Sequence, residues 1–314
     1  MSGRNIERVV ITGPTGAVGT GLIAACIEKE IQVYALVHPG SRRLWQLPDH
    51  PLVHQVEADL DCLAEAKKQI PEECQVFYHL AWKGTFGEAR NDMGLQVENI
   101  AHTLEAVALA RDLGCHTFVG AGSQAEYGRV EGALRPDTPA FPENGYGMAK
   151  LCAGQMSREL CAKLGIRHIW VRILSVYGPC DGAKTMVMSS IRQLLAGESP
   201  AFTKGEQQWD YLYAKDAGRA LYLLGEKGQA GSIYCLGSGQ KRPLREYIEI
   251  LRDAAAPGAK LGLGELPYGP NQVMELCADI SSLTRDTGFV PEYSFEEGIR
   301  ETCQWVLENQ EKLI

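Results

Sequence analysis

The sequence predicts an α/β protein: a doubly wound parallel sheet followed by a smaller C-terminal α/β region. Three observations predict it. Short β-branched runs alternate with segments of helical period as far as Gly178. A glycine-rich turn joins the first of these strands to the first helix. Beyond Gly178 the alternation becomes irregular, with glycine-rich loops near Gly182, Gly197 and Gly205. The expected division is a first domain over 1–178, to which 206–236 returns, and a second region made of 179–205 and 237–314.

The first strand is Arg8 to Thr12. It runs into Gly13-Pro-Thr15-Gly16-Ala17-Val18-Gly19, after which Leu22, Ile23, Cys26 and Ile27 repeat at helical spacing. Glycines there let the backbone turn tightly and approach a pyrophosphate, whose charge suits the free N–H groups and positive end of the helix. The spacing is Gly-x-x-Gly-x-x-Gly rather than Gly-x-Gly-x-x-Gly. A second strand, Gln32 to Val37, delivers the residues that would read an adenosine ribose. A carboxylate at that point would repel a 2′-phosphate, and none follows: the chain continues His38-Pro-Gly-Ser41-Arg42-Arg43. This tilts the expectation toward NADP over NAD, against the alternative that both arginines are simply solvated.

Val53 to Ala58 reads as a third strand, with Asp59 and Leu60 past its end and positioned for an adenine edge. Gln75 to Leu80 reads as a fourth, continuing into Ala81, Trp82, Lys83 and Gly84, where small residues would let a cofactor lie close. His79 is expected to be structural. A helix from Asn91 to Leu113 has Leu95, Ile100, Leu104, Val107 and Ala108 as its apolar face, with Asn99 tying it to the catalytic end. Thr117 to Gly120 is the fifth strand, and Ser123 and Gln124 follow it. Ligands collect at the carboxyl ends of such strands.

Asn144-Gly-Tyr146-Gly-Met-Ala-Lys150 opens the next helix and sets a phenol and an ammonium at i and i+4, on one face. A phenol with a reference pKa of about 10 is a poor base at neutral pH, and a neighbouring cation lowers that value. Lys150 is expected to supply the cation, and Ser123 to hold the substrate oxygen that Tyr146 serves. Met148, Leu151 and Met156 are expected in the core. Ile166 to Ile173 is a sixth strand, Gln207 to Tyr213 a strand leading to a helix over Asp216–Leu224, and Ser232 to Cys235 another strand. Ser294-Phe-Glu-Glu297 has the capping-box pattern of a final helix.

A formal charge of -8 and a pI near 5.5 offer no basic field for nucleic acid. No 18-residue apolar run and no apolar signal core occur, so the protein is expected to be cytoplasmic and not membrane-bound. The ten cysteines are scattered without a Cys-x-x-Cys pair, which reads as small buried side chains and no structural metal.

Gly13, Gly16, Gly19, Asp59, His79-Leu80-Ala81, Asn99, Ser123, Tyr146 and Lys150, in this order and spacing, resemble the extended short-chain dehydrogenase/reductases, in particular the nucleotide-sugar epimerase/dehydratase family. The resemblance continues through Arg172-x-x-Ser-Val-Tyr-Gly-Pro179, Asp210 to Asp216, and Asp279 to Pro291. It implies a Rossmann-type domain holding NAD(P), a small C-terminal region holding a nucleoside-diphosphate sugar, and a homodimer formed through two helices of each subunit. Lys83, Gln124, Ser175, Gln208, Trp209 and Gln272 are the expected substrate contacts.

The chain also departs from the family pattern. Dehydratases of the family carry an Asp-Glu pair directly after the residue matching Ser123, where this chain has Gln124 and Ala125; Glu126 is displaced by one residue. Elimination needs both an acid and a base, so the reading moves away from a 4,6-dehydratase. Where 4-epimerases of the family commonly have Asn and Arg, Ser175 and Trp209 stand here, removing a charge-assisted contact to the diphosphate. Hydride exchange at a sugar carbon, carbon 4 by preference, has two outcomes. A 4-keto sugar reductase using NADPH suits the acid-free loop after the second strand; a 4-epimerase holding NAD suits the family. A non-catalytic NAD(P)-binding regulator is a third reading, which the presence of Ser123, Tyr146 and Lys150 opposes.

Overall fold

The computed structural model describes residues 6–270 and 272–313; residues 1–5, Asn271 and Ile314, which fall within the two expected regions, lie outside the described residues. In chain order the elements are β1 (Arg8–Thr12), α1 (Ala17–Glu28), β2 (Gln32–Val37), β3 (Val53–Glu57), β4 (Val76–His79), α2 (Met93–Asp112), β5 (Thr117–Ser123), α3 (Gly145–Leu164) and β6 (Arg167–Ile173). There follow β7 (Ser175–Tyr177), α4 (Met186–Leu195), β8 (Ala201–Phe202), β9 (Gln208–Trp209), β10 (Tyr211–Tyr213), α5 (Ala214–Lys227), β11 (Ser232–Leu236), β12 (Arg242–Pro243), α6 (Leu244–Ala255), β13 (Gly262–Leu263), α7 (Ser281–Thr287) and α8 (Phe295–Glu308).

Seven strands form one sheet in the order β3-β2-β1-β4-β5-β6-β11, and every pairing in it is parallel. The chain winds outward from β1 to β3, then crosses back to β4 on the other side of β1. That reversal opens a crevice at the carboxyl ends of β1 and β4. Val9 and Ile11 point into one apolar layer with Leu22 and Ile23 of α1 and Leu221 and Leu224 of α5. Val10, Phe77 and Phe118 point into the other, with Ala106, Val107 and Ala110 of α2 and Cys161 of α3. The alternation along each strand is what a sheet covered on both faces requires.

The C-terminal helices pack apart from the sheet: Val187, Met188 and Ile191 of α4, Tyr247 and Leu251 of α6, and Phe295, Ile299 and Val306 of α8 share one cluster. Leu283 and Phe289 belong instead to the sheet's own core. The capping box at Ser294 and Glu297 opens α8 as its pattern indicates. Among the described residues no helix is long and apolar enough to cross a membrane. Eight of the ten cysteines are buried, with Cys62 exposed and Cys152 between the two classes, and all are free thiols.

Three expectations are corrected. β5 extends through Ser123 rather than ending at Gly120, because Gly120 and Gly122 are strand positions where any Cβ would strike the Trp170 indole; small residues that read as a loop are clearance for an aromatic ring. Met148 and Met156 are exposed on α3 at 50% and 44%, not in the core. The inward face of α3 is made of small residues such as Ala149, Ala153 and Gly154, which bring the helix close to the sheet. On α2 the buried residues nearest the site are Gln96, Asn99 and Thr103, while Leu95, Ile100 and Leu104 are only partly buried.

Candidate active site

The crevice is built first from backbone. Gly13 has φ +68 and lies so close to the end of β4 that a Cβ there would stand 2.8 Å from the Ala81 nitrogen. A Cβ on Gly19 would collide with the Gly13 carbonyl, whereas one on Gly16 would meet nothing within 4 Å. Gly16 caps α1 without any side-chain hydrogen bond, so the helix N-terminus meets open space with its N–H groups unspent. This cradle fits a pyrophosphate. Thr12 pins the neighbouring strand: its Oγ1 accepts from the Leu80 and Ala81 N–H groups at 3.1 and 3.2 Å and lies 3.0 Å from His79 Nδ1. Burial, then the Lys150 charge, pushes the buried His79 down to about 3, so it stays neutral and structural.

A cavity of about 260 Å³ continues from the glycine turn, lined by Thr12 to Thr15, Leu36 to His38, Ser41, Ala58, Leu60, Leu63 and Ala81 to Lys83. Ala17 and Val18 sit in the first turn of α1, and Val18 and Leu80 pack against the sheet core. The exposed His38 lies with Nε2 3.2 Å from Asp59 Oδ2, and Asp59 Oδ1 accepts from the Asp61 N–H at 3.1 Å. Arg42 is exposed at the rim. Arg43 is spent within the protein: it donates to the Thr15 carbonyl at 3.1 Å, to Gln46 Oε1 at 2.9 Å and to the Cys180 carbonyl. Lys83 was expected on the substrate side; its Nζ instead pairs with Asp61 at 2.7 Å and lies 3.9 Å from Asp59, at the mouth of this cavity. Asn99 touches the cavity only through the backbone it holds, accepting from Lys83 N–H at 2.8 Å and donating to the Lys83 carbonyl at 2.9 Å.

Ser123, Tyr146 and Lys150 converge at the carboxyl edge of the sheet, all three buried. Asn144 caps α3 by accepting from the Gly147 N–H at 2.9 Å, and that starts the helix so that Tyr146 and Lys150 both face inward. Burial raises the Tyr146 pKa; the neighbouring Ser123 hydroxyl and the Arg90 guanidinium work against that rise. The Lys150 ammonium has nearer neighbours than the Tyr146 ring. Its Nζ donates to the Ala121 carbonyl at 2.7 Å, lies 3.7 Å over the Trp82 ring and stands 5.8 Å from the Tyr146 ring centre. Burial lowers its own pKa to about 7, with Glu126 opposing. Trp82 meets Tyr146 edge-on at 6.0 Å and is held by its Nε1, which donates to Gln96 Oε1 at 2.9 Å.

Glu126 is the residue whose role the sequence left open. It is fully buried, accepting from the Ser123 N–H at 2.8 Å, Trp170 Nε1 at 3.0 Å and Arg172 Nε at 2.7 Å. Its carboxylate therefore braces the turn after β5 from behind, fully buried. Gln124 lies partly buried in that turn. Of the other expected substrate contacts, Ser175 and Trp209 are joined, Trp209 Nε1 donating to Ser175 Oγ at 2.9 Å. Gln208 is held by backbone bonds to Met274 and Leu276, and Gln272 lines a separate cavity of about 510 Å³ with Arg129, Glu131 and Met274. The residues missed from the sequence are Arg90 and Gln96, which no local motif marks.

Residues 9–237 match the NAD dependent epimerase/dehydratase family. The chain is 22% identical to the dTDP-glucose 4,6-dehydratase of Neisseria gonorrhoeae, over 97% of this chain and 96% of that protein. Among solved structures it is similar to the UDP-N-acetylglucosamine 4-epimerase from Methanobrevibacter ruminantium in complex with UDP-N-acetylmuramic acid, with a TM-score of 0.86, 23% identity, and coverage of 98% of this chain and 100% of that one. It is also similar to RMD from Pseudomonas aeruginosa complexed with NADPH, with a TM-score of 0.78, 23% identity, and coverage of 95% and 99%. At these identities the two structures establish the shared fold.

Proposed function

The chain belongs to the NAD dependent epimerase/dehydratase family, and from that premise we propose that it transfers hydride at carbon 4 of a nucleoside-diphosphate sugar, working as an NADPH-dependent 4-keto sugar reductase. The observation that carries this reading is the convergence of buried Ser123, Tyr146 and Lys150 at the end of β5 and the start of α3, beside a crevice floored by an uncapped helix N-terminus. The cofactor, when bound, supplies the hydride. Tyr146 gives its phenol proton to the carbonyl oxygen as that oxygen gains charge, and Ser123 orients the same oxygen. Lys150, buried beside the Trp82 face that lines the cavity, serves the ribose hydroxyls. Backbone N–H groups from Gly13 to Gly19 take the pyrophosphate, and His38, Ser41 and Arg42 read the adenosine ribose, with no carboxylate ending β2 to repel a 2′-phosphate.

Residues 1–178 with 206–236 are assigned to the cofactor, and 179–205 with 237–314 to the sugar nucleotide. Pairing of two copies through α2 and α3 is supported by the exposure of Met93, Val97, Met148 and Met156 on those helices. Elimination is disfavoured because Gln124 and Ala125 carry no acid and Glu126 is fully buried, held by Ser123, Trp170 and Arg172.

Two measurements test the reading. The purified protein is expected to consume NADPH when given a nucleoside-diphosphate 4-keto sugar; a tightly retained, non-exchanging NAD would move it to the 4-epimerase reading instead. Tyr146→Phe is expected to lower turnover by at least about 100-fold while nucleotide binding persists. Unchanged turnover in that variant would remove the proton path.

A further inference from the structure

The Tyr146 ring has a cation nearer to it than Lys150, whose Nζ stands 5.8 Å from the ring centre. The Arg90 guanidinium carbon lies 4.4 Å from the centre of the Tyr146 ring, within the range at which a planar cation is drawn to an aromatic face. The arrangement is built rather than casual. Arg90 sits in the short turn Gly87–Asn91, and that turn is pinned on both sides of it. Gln96 Nε2 donates to the Ala89 carbonyl at 2.8 Å, and Asn91 Oδ1 accepts from the Gly145 N–H at 3.0 Å, joining the turn to the residue before Tyr146. The guanidinium itself donates to the Thr85 carbonyl at 3.1 Å, which restrains its position.

The other groups around the phenol contribute differently. Ser123 from β5 is a neutral hydrogen-bond donor, Trp82 presents an edge, Glu126 behind the turn is a like charge that opposes ionisation, and Lys150 from α3 is turned to Ala121. We propose that Arg90, through the guanidinium lying over the Tyr146 ring, is a positioning residue that holds the phenol in its proton-transfer orientation and favours its ionised form, in addition to Lys150. With Tyr146 buried and Arg90 half-buried, the attraction is stronger than it would be in water. Burial still wins on balance, since the phenol remains above its ordinary value; Arg90 limits that rise.

This inference rests on Tyr146 being the proton-transfer group, so its test is kept independent of turnover. The phenolate absorbance of the unliganded protein is titrated against pH, and the Tyr146→Phe protein is subtracted to isolate one tyrosine. Arg90→Met is expected to raise the Tyr146 midpoint by about one pH unit, the low end of what an opposite charge at this range does. Arg90→Gln, a flat neutral side chain, is expected to do the same and serves if the methionine variant does not fold. Arg90→Lys restores the charge and is expected to recover at least half of the shift. An unmoved midpoint in either neutral variant overturns the proposal, and so does a lysine variant that recovers nothing, since the shift would then come from a displaced ring. Surviving turnover in Tyr146→Phe would instead sink the proposed function, whatever the titration gives.

Discussion

Lys150 carries the clearest case of one residue whose type was legible and whose environment was not. Its place four residues after Tyr146 fixes a shared helix face, but the helix does not say what the ammonium meets there. The fold gives it the Ala121 carbonyl and the Trp82 ring, and burial brings its pKa down to about 7 from 10.5. Between those two values the unfolded chain holds a proton that the folded chain has released, so raising the pH through this window stabilises the fold. The stability of the wild type relative to Lys150→Met is therefore expected to increase from pH 7 toward pH 10.5, measured by urea unfolding at fixed ionic strength. A difference that stays flat or falls over that window would mean the ammonium keeps its proton inside. Arg90 could not be read at this scale at all, because its partner is 56 positions away and no spacing rule joins a turn to a helix start.

At the scale of elements, the turn after β5 is held by a charge pair that joins two strands. Glu126 and Arg172 meet at 2.7 Å with both side chains almost wholly buried, and the same carboxylate collects the Trp170 indole and the Ser123 N–H. Removing one charge from such a pair leaves the other uncompensated in a low-dielectric setting. Glu126→Gln keeps hydrogen-bonding capacity but strands Arg172, and it is expected to cost about 3 kcal/mol of unfolding free energy. A loss below about 1 kcal/mol, the value of an exposed pair, would show that solvent reaches it. The glycines of β5 belong to the same unit. Gly120 and Gly122 leave room for Trp170, and that is why a stretch rich in small residues, which looks like loop when read alone, is strand as far as Ser123. The polar stripe Gln96, Asn99 and Thr103 on α2 was hidden for a related reason: these buried side chains donate to the backbone carbonyls of Gly84, Ala89, Lys83 and Asn99, a demand that hydrophobic periodicity does not register.

For the molecule as a whole, the crevice lies where strand order reverses about β1, so a dinucleotide bound there would bridge the α1 turn, the end of β2 and the segment after β4. Ligand that binds only the folded state stabilises it, by about 2.7 kcal/mol at one hundred times its Kd. NADPH is expected to raise the melting temperature at a concentration at least about tenfold lower than NADH, the ratio that one charged hydrogen bond of about 1.5 kcal/mol supplies. Arg42→Ala is expected to erase most of that gap; equal protection by the two nucleotides would return the cofactor assignment to NAD. By itself the sequence determined the alternation of strand and helix, the glycine cradle, the fold class and the Ser123, Tyr146 and Lys150 set, because backbone geometry and hydrophobic period act over a few residues and leave their mark in order and spacing. Only the tertiary structure decided which charge faces which: Arg90 on the phenol, Lys150 on Trp82, Glu126 behind the turn, Lys83 on Asp61. Electrostatic partners are chosen by distance through space and by exclusion of water, and neither quantity is written along the chain.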